Sequence, residues 1–394
     1  MTGWARAIGT AWVVRGQVPG PSVDEFAEPD EVVGALAGWG DRDTLLAVQH
    51  PHRTPRARAA GLSLAEALPA ATRALARLRA TAYRPVNDVV AAYRVSGPDG
   101  AAVGVLCLVD PVAVDPQGRS RVRQSEQVYP DVVAERAAVL AALGCASSAA
   151  MLVPVDSGDR LTETVLRTVE PLGAPSASTV DSGGRVHRLW LIGPGAAQDA
   201  LLAEVQRGPL LVADGNHRVA AAAGAPSGLL ALVTGGPGLR IGAIHRALTD
   251  TGLTTADLAA AWRRHGLVVH ETDDLAAPRT PGTVVVRPIA RPDDTGLLVE
   301  LPGPEAIGEP PPRLDHALVE QVLVAEALDI DPAGPRAHPL PAGHPAGPGV
   351  DAVLQLAPVP FDDVLTVHRQ SRRMPRKSTY FTPKPRSGLL LADL

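Results

Sequence analysis

The sequence predicts an α+β protein with more than one hydrophobic core. Three observations carry this. Apolar residues at 45% and charged residues at 20% are the proportions of a globular chain. A length of 394 residues exceeds what a single core usually serves. Strand-like runs joined by a short turn, the mark of antiparallel pairing, mix with amphipathic helices.

Taken in order, Ala11 to Val14 reads as a strand, Pro21 to Phe26 as a loop and Asp30 to Trp39 as a short helix. Leu45 to Val48 is a short apolar run that reads as a strand. A long helix follows, because Ser63 and Glu66 have capping-box spacing and Leu64, Leu68, Ala71, Leu75 and Leu78 share one face. Pro69 is expected to kink that helix or to mark its first turn.

Val89 to Val95 and Ala102 to Val109 read as paired strands around a Ser-Gly-Pro-Asp-Gly turn. After a loop from Asp115 to Tyr129, Pro130 opens a helix and Gly144 lies beyond its end. Strands are expected at Met151 to Val155, Arg185 to Ile192 and Pro209 to Ala213, with helices at Leu161 to Val169, Ala196 to Gln206 and the Ala-rich run to Ala223. Leu229 to Val233 and Leu239 to Ile244 are strands, Thr255 to Gly266 an amphipathic helix, and Thr283 to Val286 and Leu297 to Leu301 strands. Arg291 to Pro312 reads as surface connection, Leu314 to Leu328 as a helix and Pro335 to Pro348 as a loop. The strand Ala352 to Leu356 and a short element near Val364 close the series. No internal repeat is evident.

Several function classes are excluded or disfavoured. Net charge is -5 with no basic tail, which argues against a nucleic-acid partner. No apolar run reaches the roughly 18 residues of a membrane span, and the N-terminal stretch lacks a signal-peptide core, so a cytoplasmic protein is expected. Cys107 and Cys145 have apolar or small neighbours and read as buried hydrophobes, not as a disulfide framework or zinc set. His50, His52, His338 and His344 have no carboxylate or cysteine completing a metal set. Gly193-Pro194-Gly195 mimics a dinucleotide fingerprint, with Asp214 nineteen residues beyond Gly195, but Gln198 stands where the third glycine belongs.

Three stretches point to chemistry. In Met374 to Lys384 lie the only two lysines, Lys377 and Lys384, of 37 basic residues. A compact ammonium follows a moving phosphate, whereas a guanidinium prefers a fixed planar fork. The second stretch runs from Leu210 to Ala221: a buried-type strand ends in Asp214-Gly215 and turns into a helix that starts Asn216-His217-Arg218. It reads either as a phosphate-binding corner, with Asp214 available to Mg²⁺ or a substrate amine, or as an ordinary strand-turn-helix with Asp214 as N-cap. The third holds Arg119, Arg121, Arg123, Ser125 and Glu126, with Arg136 on the next helix. Alternating arginines share one side if this is a strand. A carboxylate beside cations stays ionised, so Glu126 takes up a proton only where desolvation or substrate lifts its basicity.

These stretches resemble domain-of-unknown-function family 1015 (DUF1015), which is related to the ParB/sulfiredoxin-like fold and similar to the free serine kinases. The resemblance runs from about Pro21 to the C-terminus. The family's Asp-Gly-His-His-Arg motif stands here as Asp214, Gly215, Asn216, His217 and Arg218. Its His-Glu pair with a downstream Arg stands as Ser125, Glu126 and Arg136, and its Met-Pro-x-Lys-Ser-Thr-Tyr-Phe-x-Pro-Lys signature spans Met374 to Lys384. A His-Arg pair is kept as His245 and Arg246. Ser125 and Asn216 each replace a family histidine.

The resemblance implies a ParB-like nucleotide-binding core over residues 1–250 and a C-terminal α+β region over 251–394 whose segment 374–384 packs back on the core. It implies a kinase using ADP or ATP with Mg²⁺ to phosphorylate the hydroxyl of free serine or a similar metabolite, with a non-catalytic nucleotide-binding regulator as the alternative. Glu126 and His217 would be catalytic, Glu126 as the base. Asp214, Gly215, Asn216, Arg218, Arg136, Lys377, Ser378, Thr379 and Lys384 would hold substrate and phosphate.

Overall fold

A computed structural model describes residues 3–26, 29–40, 42–156, 158–225, 228–236 and 238–394. The first two residues of the N-terminal stretch lie outside the described residues. The chain is a mixed α+β protein of two units. Unit 1 holds the residues up to Gln124, Val128–Arg240 and Thr382–Leu394, and unit 2 holds Ser125–Gln127 and Ile241–Phe381.

Unit 1 is built on a large mixed sheet. Its main path runs Val122–Arg123, Leu210–Asp214, Ala150–Pro154, Leu229–Gly235, Gly100–Val109, Tyr83–Gly97, Ile8–Val14, Leu390–Asp393 and Cys145–Ala146. The hairpin around Pro98-Asp99 forms as the turn residues predict, but the strand before it is longer than the apolar run and begins at Tyr83. That long strand changes partners midway. Ile8 pairs Val89, and from Val90 onward the partner is Val186–Ile192. At the change Asp88 takes a left-handed φ of 49°, a conformation that costs an ordinary residue about 1 kcal/mol or more.

Both faces of this sheet are covered, which is why its strands read as continuous apolar runs. Ala91, Tyr93 and Val95 face one core with Leu75, Leu78 and Leu391. Val90 and Ala92 face the other with Cys107, Leu152, Leu201 and Val212. Both cysteines are free and buried, and burial pushes the thiol of Cys107 up to about 12 and that of Cys145 up to about 11. They are inert packing groups.

The capped helix spans Leu64–Ala82, with Ser63 and Glu66 forming the reciprocal box and Ala71, Leu75 and Leu78 buried. It starts before Pro69 and continues through it. The next helix is Pro130–Leu143, opened by Pro130 and closed by Gly144 at φ 55°. By contrast, Leu45–Gln49 is a helix and not the expected strand, because the Thr44 hydroxyl caps the Ala47 N–H at 3.1 Å.

The C-terminal residues complete unit 1. Leu390–Asp393 pairs antiparallel with both Ile8–Val14 and Cys145–Ala146. Ahead of it the Tyr83 hydroxyl donates to the Gly388 carbonyl at 2.9 Å, and Gly388 has φ 83°. A Cβ there would stand 2.2 Å from Leu45 Cδ1. Gly388→Ala is therefore expected to destabilise unit 1 by about 1–3 kcal/mol, read as a lower urea midpoint at unchanged m-value.

Unit 2 has a six-stranded antiparallel sheet in the order Val268–Thr272, Gly296–Glu300, Thr283–Pro288, Val350–Gln355, Ile244–Thr249, Ala337–Pro341. The last of these was expected to be loop. Pro339 and Pro341 lack N–H groups, and an edge position tolerates that. The helix Thr255–Arg264 packs Leu258 and Trp262 into the core, and the Trp262 indole donates to the Leu323 carbonyl at 2.9 Å. Leu323 belongs to a π-helical stretch, Val319–Glu326, within the helix expected from Leu314 to Leu328. No helix among the described residues is long and apolar enough to cross a membrane.

Candidate active site

The expected site residues fall into two groups, each within one unit. In unit 1 the strand Leu210–Asp214 turns at Gly215 into the helix Asn216–Ala222. Gly215, at φ 97°, is the N-cap in place of Asp214, and a Cβ there would meet Arg218 Nε at 2.6 Å. The turn thus requires glycine both for its left-handed backbone and for the guanidinium folded over it.

Asp214 is fully engaged. One oxygen pairs with Arg218 and the other accepts from Lys384 Nζ at 2.7 Å. Arg218 in turn reaches Asp24 at 2.9 Å and the Ser148 hydroxyl, which itself donates to Asp24. Two carboxylates and two cations close this network at neutral charge. Burial alone would lower the Arg218 pKa, but Asp24 and Asp214 hold it above the ordinary value. Lys384 is fixed here because the surrounding C-terminal segment is tied down: Thr382 bonds Asp99, and the Arg386 N–H donates to the Tyr93 hydroxyl at 2.9 Å.

His217 accepts from the Tyr129 N–H through Nε2 at 3.0 Å, and its ring stacks on Tyr129 at 5.8 Å. The acceptor role leaves the ring proton on Nδ1 when the imidazole is neutral. Asn216 is buried, and its carbonyl accepts from Gln124 at 3.4 Å. Arg136, from Pro130–Leu143, lines a cavity together with Arg218.

In unit 2 the short stretch Ser125–Gln127 is stitched to the lysine-bearing segment. Met374 N–H donates to the Ser125 carbonyl at 2.8 Å, and Glu126 bridges Met374 in parallel. Ser125 is 3% exposed, so the small side chain fits where a histidine would need more room. The Glu126 carboxylate accepts from Lys377 N–H at 3.2 Å, Thr379 N–H at 3.3 Å and the Thr379 hydroxyl at 2.8 Å. Lys377 adopts φ 50°, which turns successive amides toward one point and makes an anion nest. Burial raises the pKa of Glu126 above the ordinary carboxylate value despite the opposing effects of Thr379 and Lys377. Ser378 is buried, and its hydroxyl donates within the loop to the Pro375 carbonyl at 2.7 Å. The Lys377 side chain is exposed.

Arg246, noted above only as part of a His-Arg pair, organises this loop. Its guanidinium is buried, donates to Glu320 Oε1 at 2.6 and 2.8 Å, and caps the carbonyls of Arg376 and Lys377 at 3.1 Å each.

The profile described as "Protein of unknown function (DUF1015)" matches residues 88–298, more than half of the chain. The chain belongs to the DUF1015 family. No curated protein matches it. Among solved structures, this DUF1015 protein is similar to a conserved hypothetical protein from Pyrococcus furiosus, at 11% identity and TM-score 0.38 over 70% of this chain and 91% of that one. It is similar to a free serine kinase in complex with AMP, at 12% identity and TM-score 0.37 over 68% and 89% of the two chains. It is also similar to C-terminally truncated SbnI from Staphylococcus aureus, at 11% identity and TM-score 0.39 over 73% and 87%. Such low scores leave the chemistry of this DUF1015 protein to be argued from its own residues.

The remaining sequence candidates serve the fold. Gln198, in the third-glycine position of the false fingerprint, is buried and donates to the Asp88 carbonyl at 2.8 Å and the Ile192 carbonyl at 3.2 Å. Arg119 pairs with Asp115 at 2.7 Å, and only Val122–Arg123 of the arginine stretch is strand. No group of three or more His, Cys, Asp or Glu that could hold a metal ion is present among the described residues.

Proposed function

We propose that this protein is a nucleotide-dependent small-molecule kinase with ADP or ATP as donor and the hydroxyl of free serine or a similar metabolite as acceptor. The observation that carries this reading is the half-buried Glu126 carboxylate seated on the Lys377 and Thr379 N–H groups, a setting whose desolvation raises its basicity. A base for a hydroxyl needs a pKa closer to neutrality than an exposed glutamate has.

In the proposed reaction Glu126 accepts the hydroxyl proton while the hydroxyl oxygen attacks the terminal phosphorus. The bond from that phosphorus to the leaving nucleotide oxygen breaks, and the charge stays on the nucleotide. Lys377 supplies a mobile cation for the transferring group, which is the positioning and charge work that phosphoryl transfer chiefly needs. This reading takes unit 1, which carries the Asp214–Arg218 turn, as the ParB-like nucleotide core.

Mg²⁺ does not fit a protein-held set here, since both Asp214 oxygens already face cations. A nucleotide's own phosphates and water are the ligands such an ion ordinarily uses. No step is assigned to it.

A screen of nucleotide donors against serine and other hydroxylated metabolites, with Mg²⁺ added, is expected to give a phosphorylated product by mass spectrometry. Saturated carboxylates favour one competing reading, a nucleotide-binding regulator without turnover: Glu126 already has three donors and Asp214 two cations. Calorimetric binding of nucleotide with no product from any acceptor would select the regulator.

A further inference from the structure

Arg246 lies on the strand Ile244–Thr249, and every N–H of its guanidinium finds an acceptor within unit 2. Nε and Nη2 donate to the same oxygen of Glu320 at 2.8 and 2.6 Å. Nη2 also meets the Arg376 carbonyl at 3.1 Å, and Nη1 meets the carbonyls of Lys377 at 3.1 Å and His245 at 3.2 Å. The donors of a guanidinium form a fixed planar fork, so this one cannot turn without losing a partner.

The Arg376 carbonyl belongs to the same peptide group as the Lys377 N–H, which donates to Glu126 at 3.2 Å. That peptide is trans and planar, with C=O and N–H pointing opposite ways, so holding the carbonyl aims the N–H. The next peptide is held likewise, at the Lys377 carbonyl. Lys377 itself has φ 50°, a left-handed backbone that an ordinary residue keeps only where its surroundings impose it. Arg246 imposes it, and Glu320 orients Arg246.

Glu320 stands on an unusual backbone. It is the second residue of the π-helical stretch Val319–Glu326, whose Val319, Leu323 and Val324 are buried in the core of unit 2. Such turns are rare and recur at functional sites.

We propose that Glu320 is a positioning residue: through Arg246 it fixes the direction of the Lys377 N–H toward Glu126, and so sets how firmly that carboxylate holds a proton. A hydrogen bond to an ionised carboxylate favours the ionised form. Loosening the Lys377 N–H therefore makes Glu126 easier to protonate. What that proton affinity serves, as the base of a kinase, rests on the function proposed above; the coupling itself does not.

Geometry and charge act here with opposite signs. Removing the negative charge of Glu320 would by itself ease ionisation of Glu126, whereas releasing Arg246 would hinder it. Glu320→Gln removes the charge and keeps an acceptor oxygen at the same reach. Glu320→Asp keeps the charge and withdraws it by one methylene. The test is carbon-13 NMR of protein labelled at the glutamate carboxyls, followed through a pH titration, with Glu126→Gln identifying the Glu126 resonance by its absence. In Glu320→Asp the Glu126 midpoint is expected to rise by about half a pH unit or more, a fraction of what a hydrogen bond to a charged group is worth. In Glu320→Gln it is expected to show no such rise. A Glu320→Asp midpoint at or below the wild-type one overturns the proposal, and a fall confined to Glu320→Gln identifies a plain charge effect in its place. Glu320→Ala, which loses the anchor altogether, carries the same expected rise and the same overturning result should Glu320→Asp not fold. The titration needs no turnover, so failure of the kinase screen and failure of this coupling are separate results.

Discussion

Glu126→Gln is expected to lower phosphoryl transfer by about 10²–10⁴-fold, the range a positioned general base contributes. The substitution keeps the shape of the side chain and removes its capacity to take a proton. It also replaces one acceptor oxygen by an NH₂ group. Two donors then face each other either at Lys377 N–H or at the Thr379 pair, where the carboxylate now accepts at 3.2 Å and at 2.8–3.3 Å. Turnover and unfolding should therefore be measured side by side. A base role predicts that kcat collapses while nucleotide affinity survives. A purely structural role predicts a lower denaturation midpoint with kcat of the folded fraction intact, and unchanged turnover removes Glu126 from the mechanism.

The pH profile gives a second handle on the same group. The base works deprotonated, so activity falls as pH drops through its folded-state pKa. Because burial raises that pKa, the acid limb is expected above the ordinary glutamate value of 4.5. A limb at or below that value contradicts the assignment.

Arg246→Met should be the most damaging substitution in unit 2. Arg246 is buried but the Glu320 carboxylate is 27% exposed and can be hydrated when left alone, so the loss is expected to be about 1.5–3 kcal/mol, the range for hydrogen bonds to a charged group. Here Glu320 would lose its partner, and the carbonyls of Arg376 and Lys377 would lose their donors together. A chemical denaturation curve is expected to show the full loss for Arg246→Met and a smaller one for the double variant with Glu320→Leu, which removes both charges. Equal losses in the two would show that the carbonyl contacts, and not the ion pair, dominate. Arg246→Lys should rescue little, since one ammonium cannot span Glu320 and two carbonyls.

What the sequence disclosed was mostly local. The Ser63/Glu66 box, the Pro130 and Gly144 boundaries and the Asp214-Gly215 turn are short-range chemistry, and each formed where its residues stand. Leu45–Gln49 was misread because a run of five residues is too short for periodicity to separate strand from helix, and only the Thr44 cap decides it. Ala337–Pro341 was missed because its prolines argue against a strand everywhere except at an edge.

The site was harder to read. Composition marked Lys377 and Lys384, but not that Lys384 meets an aspartate 170 positions earlier, while the Lys377 backbone meets a glutamate 251 positions earlier. Nor did it reveal the buried relay in unit 1. There the Tyr93 hydroxyl, accepting from Arg386 N–H, stands 2.7 Å from His187 Nδ1, and His187 Nε2 lies 3.0 Å from Asp181. Such pairings depend on which strands become neighbours, and no short window contains that information.

The antiparallel pairing of Ala11 with Ala392 bears on how the chain comes into being. During synthesis the strand Ile8–Val14 emerges well before Leu390–Asp393, one of its two sheet partners. All of Ile241–Phe381 must be made in between. Until then the hydrogen-bonding edge that receives Leu390–Asp393 has no strand of its own chain to cover it, and exposed edges of that kind invite pairing with other chains. Closing a loop between strands so far apart in sequence is also entropically slow. The order of events is thus imposed by topology: Ile241–Phe381 is made whole before Leu390–Asp393 can join the sheet of unit 1, and Lys384 reaches Asp214 only after that stretch has been made.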